Sequence, residues 1–175
     1  TTLRLEPVEL GSVIAKTVED LHPFTSERSV KIVISLPIDL PLVSADPDKL
    51  RQILLNLLHN AVKFSPMNTV VNLNVTRLPN DTIQISVRDV GPGIAPEEVD
   101  KVFQPFYRAP TTHKKTKGTG LGLAIAKLLV ELHQSRLSVE TEPGRGSCFY
   151  FTLQTVTPVR LAYLASETLV VKRDT

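Results

Sequence analysis

Apolar positions along this chain follow two repeats in turn, one near 3.6 residues and one of two, and the switches between them mark its elements. From Pro7 onward Val8, Leu10, Val13, Ile14, Val18 and Leu21 keep helical spacing, and His22-Pro23 ends the run. Val30 to Leu36 is rich in β-branched residues and gives way to Pro37 and Pro41, which predicts a strand and then a loop. Asp46-Pro47 next supplies a capping carboxylate and a first-turn proline for a long helix. Leu50, Ile53, Leu54, Leu57, Leu58 and Ala61 form its apolar face, and Ser65-Pro66 stops it.

Two alternating strands come next, with Val71, Leu73 and Val75 on one face of the first and Ile83, Ile85 and Val87 on one face of the second. Pro79-Asn80-Asp81 joins them as a turn. Asp89 continues the 83, 85, 87 series, so strand geometry aims its carboxylate at the covered face, where a lone charge needs a partner. Pro96, Glu97 and Glu98 suit the first turn of a short helix, with Val99, Val102 and Phe103 on its apolar side. Residues 104–119 then lose periodicity and gather prolines and lysines, as a loop that orders on binding a ligand does. Leu121, Ile125, Leu128, Leu129 and Leu132 make another helix, and strands over 137–142 and 147–153 turn at Pro143-Gly144-Arg145-Gly146.

This order predicts a two-layer α/β (α+β) sandwich, a mixed and largely antiparallel sheet with helices packed on one face. Residues 1–154 are expected to form the domain and 155–175 a partly disordered tail. With 175 residues and 42% hydrophobic content there is material for one core and no second domain. A net charge of +2, with acids and bases interspersed, offers no basic tract for nucleic acid or a lipid surface. Cys148 is the single cysteine, which excludes an internal disulfide and suits strand packing. No apolar run approaches the roughly 20 residues that cross a bilayer, so a domain working in water is expected. Opening on Thr1-Thr2, the chain is expected to be part of a longer protein.

Three polar clusters interrupt the apolar runs. Asn56, Asn60 and Lys63 fall within about 60° of one another on a helical wheel, Asp89-x-Gly91-x-Gly93 ends a strand, and Gly118-x-Gly120-x-Gly122 opens a helix. Together they imply one assembled nucleotide site. With Phe103-Gln-Pro-Phe106-Tyr-Arg108 and Gly144-Arg-Gly146-Ser added in order, residues 5–153 resemble the ATP-binding catalytic domain of sensor histidine kinases, a branch of the GHKL ATPases. One glycine pattern alone is weak evidence, whereas several in the family's order are specific.

The resemblance implies the same architecture and a set of roles. Asp89 resembles the carboxylate that accepts from the exocyclic amine of adenine; guanine presents a carbonyl there, which sets acceptor against acceptor. Asn60 resembles the magnesium ligand, a neutral oxygen donor beside phosphate oxygens and water. Asn56 stands where the hydrolysing clamps of the superfamily carry a glutamate that activates water, and an amide takes no proton near neutral pH. Slow intrinsic hydrolysis is expected. Gly91 and Gly93 allow the base to approach backbone, and Gly118, Gly120 and Gly122 permit close approach of phosphate at a helix start, with Lys117 adding charge. Arg108 resembles the arginine that meets the γ-phosphate during transfer, and Lys63 joins Asn56 and Arg108 as a candidate catalytic residue. Tyr107, Thr119 and Leu121 complete the nucleotide-binding set, and Phe64, Ile94, Leu123 and Phe149, with Phe103, are candidates for the adenine cleft and equally for the core.

None of His22, His59, His113 and His133 sits in the family's acceptor pattern, and His59 and His133 read as surface or boundary residues of helices. The resemblance therefore implies ATP and Mg²⁺, a phosphoacceptor histidine on a separate dimerisation domain, and a response regulator as onward partner, in a cytoplasmic domain that touches neither nucleic acid nor membrane. Gln134-Ser135 replaces the family's glycine pair after His133, which leaves the end of that helix open. A nucleotide-responsive module without transfer activity and an ATP-driven conformational clamp stand as alternatives.

Overall fold

The computed structural model describes residues 2–109, 118–157, 162–163 and 165–166. In chain order the elements are β1 (Glu6–Val8), α1 (Leu10–Asp20), α2 (His22–Arg28), β2 (Val30–Ser35), β3 (Val43–Ala45), α3 (Pro47–Phe64), β4 (Thr69–Leu78), β5 (Thr82–Asp89), a 3₁₀ turn (Pro96–Glu98), α4 (Gly122–Leu132), β6 (Ser138–Thr141) and β7 (Ser147–Gln154). Five strands form one sheet in the order β2-β4-β5-β7-β6. The β2–β4 pair is parallel and the other neighbours are antiparallel. β1 and β3 make a separate two-stranded sheet.

One face of the large sheet is apolar because alternate residues of each strand are apolar. Val71, Leu73, Ile83, Ile85, Val87, Phe149, Phe151 and Leu153 are all buried there. Against them α3 buries Leu50, Ile53, Leu54, Leu57, Leu58, Ala61 and Val62, while α1 and α4 flank it. The expected two-layer sandwich is what forms.

Both ends of α3 are pinned. At its start the Asp46 carboxylate accepts from the amides of Asp48 (3.1 Å), Lys49 (3.2 Å) and Arg4 (3.0 Å). The Asp46 amide in turn donates to His133 Nε2 at 3.1 Å, while His133 Nδ1 donates to the Leu129 carbonyl at 2.7 Å. His133 thus ties the end of α4 to the start of α3 from a half-buried helix boundary, within the surface or boundary placement expected of it. Burial pushes the Asp46 carboxyl up, but the Arg4, Lys49 and Asp48 amides, helped by His133, outweigh it and hold the group below the ordinary value of 3.8.

Three expectations are corrected. The run from Pro7 starts as a strand, and its helix begins at Leu10. His22-Pro23 does not end the helical region: proline sits in the first turn of α2, where its missing N–H costs nothing, and α2 stops at Ser29 in the left-handed region at φ 54°. Residues 43–45, placed within a loop, form a strand that is buried throughout. The helix end left open by Gln134-Ser135 falls at Leu132, with Gln134 itself left-handed at φ 58°. Residues 110–117 of the 104–119 loop, including His113 and Lys117, and most of the tail lie outside the described residues.

The β6–β7 turn reaches back beneath Asp89. Gly146, at φ +81°, lies so close to the Asp89 carbonyl that a Cβ there would overlap it, whereas Gly144, at φ +82°, has open space beside it. Gly144→Ala is expected to cost about 1–2 kcal/mol, the penalty of a left-handed L-residue, and Gly146→Ala distinctly more because backbone must move as well. Urea denaturation of the two variants measures the difference.

Asp46→Ala is expected to cost about 1–2 kcal/mol at pH 7 through loss of the cap. Since the folded-state pKa lies below the unfolded one, this contribution is full above the unfolded value near 3.8 and disappears as pH falls through the lower folded value. The gap between variant and parent in urea melts should close accordingly.

Candidate functional site

Opposed demands on α3 create the site. The residues that do not face the core leave Asn56, His59, Asn60 and Lys63 along the wall of a cleft of about 640 Å³. Asp89, Pro92, Gly93, Ile94 and Ala95 form a second wall, with Ser147 and Phe149 from β7. Tyr107, Arg108 and residues 118–123 close a third side. Clusters separated by more than sixty positions in sequence therefore share one cavity, lined by apolar surface with a few polar groups, as small-molecule sites are.

Asp89 sits at the inner end with 5% of its surface exposed. Its Oδ1 accepts from the Gly91 amide at 2.8 Å, and the Ser147 amide, opposite it in the β5–β7 ladder, donates to the same carboxylate. Burial raises the pKa of this group, and the two main-chain donors and Arg88 offset that rise only in part. Around it, Thr141 Oγ1 accepts from the Ile94 amide at 2.9 Å and lies 2.8 Å from Ser147 Oγ, which fixes the second wall to the β6–β7 hairpin. Phe149 is buried and meets Phe103 edge to face at 6.0 Å.

The other end is cationic. Lys63 Nζ lies 5.2 Å from the centre of the Phe64 ring and occupies the space that a Cβ on Gly118 would need. Burial, then Arg108, then Arg28 lower its pKa. Asn56 Nδ2 is buried and has no hydrogen-bond partner, which leaves a donor for a ligand to satisfy. Gly122 faces Asn56, with its Cβ position 3.7 Å from Asn56 Oδ1. Leu121 caps α4 without offering a side-chain acceptor, so no side-chain cap serves the first-turn amides.

Of the residues singled out from sequence, Asn56, Asn60, Lys63, Phe64, Asp89, Gly93, Ile94, Tyr107, Arg108, Gly118, Thr119, Gly120, Leu121, Gly122, Leu123 and Phe149 all line the cleft. Gly91 does not. It lies behind the wall, against the Phe64 carbonyl, and serves the site through its bond to Asp89. Phe103 packs behind Phe149 instead of lining the cavity. Gly118 and Gly120 precede α4 and Gly122 begins it, so the three glycines do not share a helical turn. Gly120 instead packs on residues 106–107, its carbonyl accepting from the Phe106 amide at 3.0 Å.

Sequence reasoning missed Ser147 and His59. Strand register opposite Asp89 would have found the first, and the wheel position one turn after Asn56 the second. His59 stacks on Phe24, with ring centroids 4.2 Å apart, and its pKa is lowered by burial and by Lys63.

Comparison with known proteins agrees with this geometry. The family described as histidine kinase-, DNA gyrase B-, and HSP90-like ATPase matches residues 45–157. An adaptive-response sensory kinase SasA from Prochlorococcus marinus is 39% identical over 148 residues, covering 85% of this chain and 39% of that protein. A second SasA, from Parasynechococcus marenigrum, is 38% identical over 153 residues, covering 87% of this chain and 40% of its own length. The chain thus spans about two fifths of the relatives it matches. Among solved structures, full-length ShkA in complex with AMPPNP superposes with a TM-score of 0.78 at 33% identity, over 90% of this chain and 33% of that one. The mycobacterial sensor histidine kinase MprB gives 0.76 at 28% identity, over 87% of this chain and 98% of that one. A cleft with these walls, on this sheet and under this family's match, places the chain in the histidine kinase-, DNA gyrase B-, and HSP90-like ATPase family.

Proposed function

We propose that this chain is the catalytic domain of a two-component sensor histidine kinase, which binds Mg·ATP and passes the γ-phosphoryl group to a histidine on a separate dimerisation domain, for onward transfer to a response regulator. The observation that carries this reading is the convergence of Asn56, Asn60 and Lys63 on one cleft with Asp89 and the glycine-rich approach to α4. That sensory kinases are among the relatives supports it. The cleft suits a nucleotide: a carboxylate buried at the apolar end, and cations, an unpartnered amide and helix N–H groups at the other.

In this reading Asp89 accepts from the adenine amine and so favours ATP over GTP, while Ile94, Leu123 and Phe149 cover the ring. Phosphate oxygens meet the amides at the start of α4, Lys63 and Arg108, and the buried Asn56 amide gains its missing partner. The donor set also fits Mg²⁺. Among the described residues no group of three or more His, Cys, Asp or Glu would hold a cation, and Asn60 would hold Mg²⁺ through a neutral oxygen beside the phosphate oxygens. Bound there, Mg²⁺ neutralises phosphate charge. The protein positions ATP in line with an incoming imidazole nitrogen, which bonds to the γ-phosphorus as the bond to the β-phosphate bridging oxygen breaks and ADP leaves. Asn56 and Asn60, the amides nearest the phosphate end, provide no base for water.

Labelled ATP mixed with the chain and a histidine-bearing helical hairpin should give acid-labile, alkali-stable label on the hairpin, with slow phosphate release when the hairpin is left out. Binding without transfer would favour the nucleotide-responsive module, and rapid hydrolysis would favour the clamp. Asp89→Asn is expected to weaken ATP binding about 10- to 150-fold, equivalent to roughly 1.5–3 kcal/mol, in titration calorimetry. An unchanged affinity would refute the adenine contact.

A further inference from the structure

Behind the cationic end of the cleft, α2 and α3 meet along matched pairs one helical turn apart. Phe24 and Arg28 share a face of α2, as His59 and Lys63 share a face of α3. The Phe24 and His59 rings stack with their planes within 8°. One turn further on, Arg28 Nη2 donates to the Lys63 carbonyl at 2.5 Å. That bond satisfies a carbonyl of the last turn of α3 that has no partner within the helix.

Arg28 is itself held in place. α2 ends on the next residue, Ser29, whose carbonyl accepts from the Asn68 amide at 2.7 Å, so the chain just beyond α3 is tied to the end of α2. Arg28 lines no part of the cleft, and its Nε is buried without a hydrogen-bond partner. Neither Arg28 nor Lys63 takes part in the ion pairs found among the described residues. Two cations, Arg28 and Lys63, are thus packed close together, and Arg28 is among the groups that lower the Lys63 pKa. Such crowding is unfavourable until an anion joins it, and the open side of the group is the cleft.

We propose that Arg28 is a positioning residue for the triphosphate: it closes the last turn of α3 through the Lys63 carbonyl and sets positive charge behind Lys63, so that the ammonium is held forward, toward the phosphates of a bound nucleotide. This rests on the ATP-binding reading given above. Arg28 acts through Lys63 and touches no ligand, so it should matter for phosphates and be indifferent to adenine.

The test compares two ligands on the whole chain. ATP binding with Mg²⁺ is measured by calorimetry and adenosine binding by chemical-shift titration, for the unchanged chain, Arg28→Ala and Arg28→Lys. Arg28→Ala should weaken ATP about tenfold, because Lys63 loses its hold and with it the charge-assisted contact to phosphate, and leave adenosine unchanged. Arg28→Lys, which keeps the charge without the fork, should recover part of the loss. Equal weakening of both ligands would reveal a merely structural role and overturn the proposal, as would no change in either. If Arg28→Ala fails to fold, the ratio of ATP to adenosine affinity in Arg28→Lys and Arg28→Gln decides in the same way, Gln lowering it more than Lys. An unchanged chain that binds neither ligand would instead remove the nucleotide-binding reading, and the proposal with it.

Discussion

One helix has to face two ways. α3 gives seven residues to the core and keeps Asn56, Asn60 and Lys63 along the cleft, so any rotation or slide that improved one face would spoil the other. Close packing makes the core side unforgiving, because a buried helix face can shift only if its neighbours repack. The ends complete the constraint: Asp46 anchors the first turn to the N-terminal segment and to His133, and Arg28 holds the last. The polar stripe inherits its placement from contacts made on the opposite side of the same helix.

The sheet contributes in a similar way. Because β5 is central, paired on both edges, its last residue is carried to a fixed point, and Asp89 reaches the cleft by continuing an alternation that the core dictates. The hairpin β6–β7 then braces the second wall through Thr141 and Ser147. In this chain the candidate binding groups are extensions of packing patterns, with Asn56, Asn60 and Lys63 borne on a helix and Asp89 on a strand, and the loops mainly close the third side.

That is also why so much was legible beforehand. Long amphipathic runs announce themselves, so α3, α4, β4 and β5 could be placed from spacing alone, and parity put Asp89 on the buried side. β1 and β3 have three residues each, too few for a repeat of two to show. α2 was hidden because His22-Pro23 reads equally well as the end of one helix or the first turn of the next, and only the packing of Phe24 and Arg28 on α3 separates the two. The glycine triplet misled for a different reason. Its spacing says that side chains are absent, while Gly120 is small because residues 106–107 press on it. Ser147 enters the site through strand register, which no local pattern contains.

The way Asp89 is gripped bears on how this molecule can change over evolutionary time. Both of its donors, at Gly91 and Ser147, are peptide groups, which every residue but proline supplies, though a Cβ at position 91 would crowd the Phe64 carbonyl and Asp89 Oδ1. Drift in neighbouring side chains can alter the cleft's shape and its preference among nucleotide analogues without removing the hold on this carboxylate. Its orientation is insured by the backbone, and what cancels that protection is a shift of the strands themselves, a proline at either donor, or a side chain at position 91.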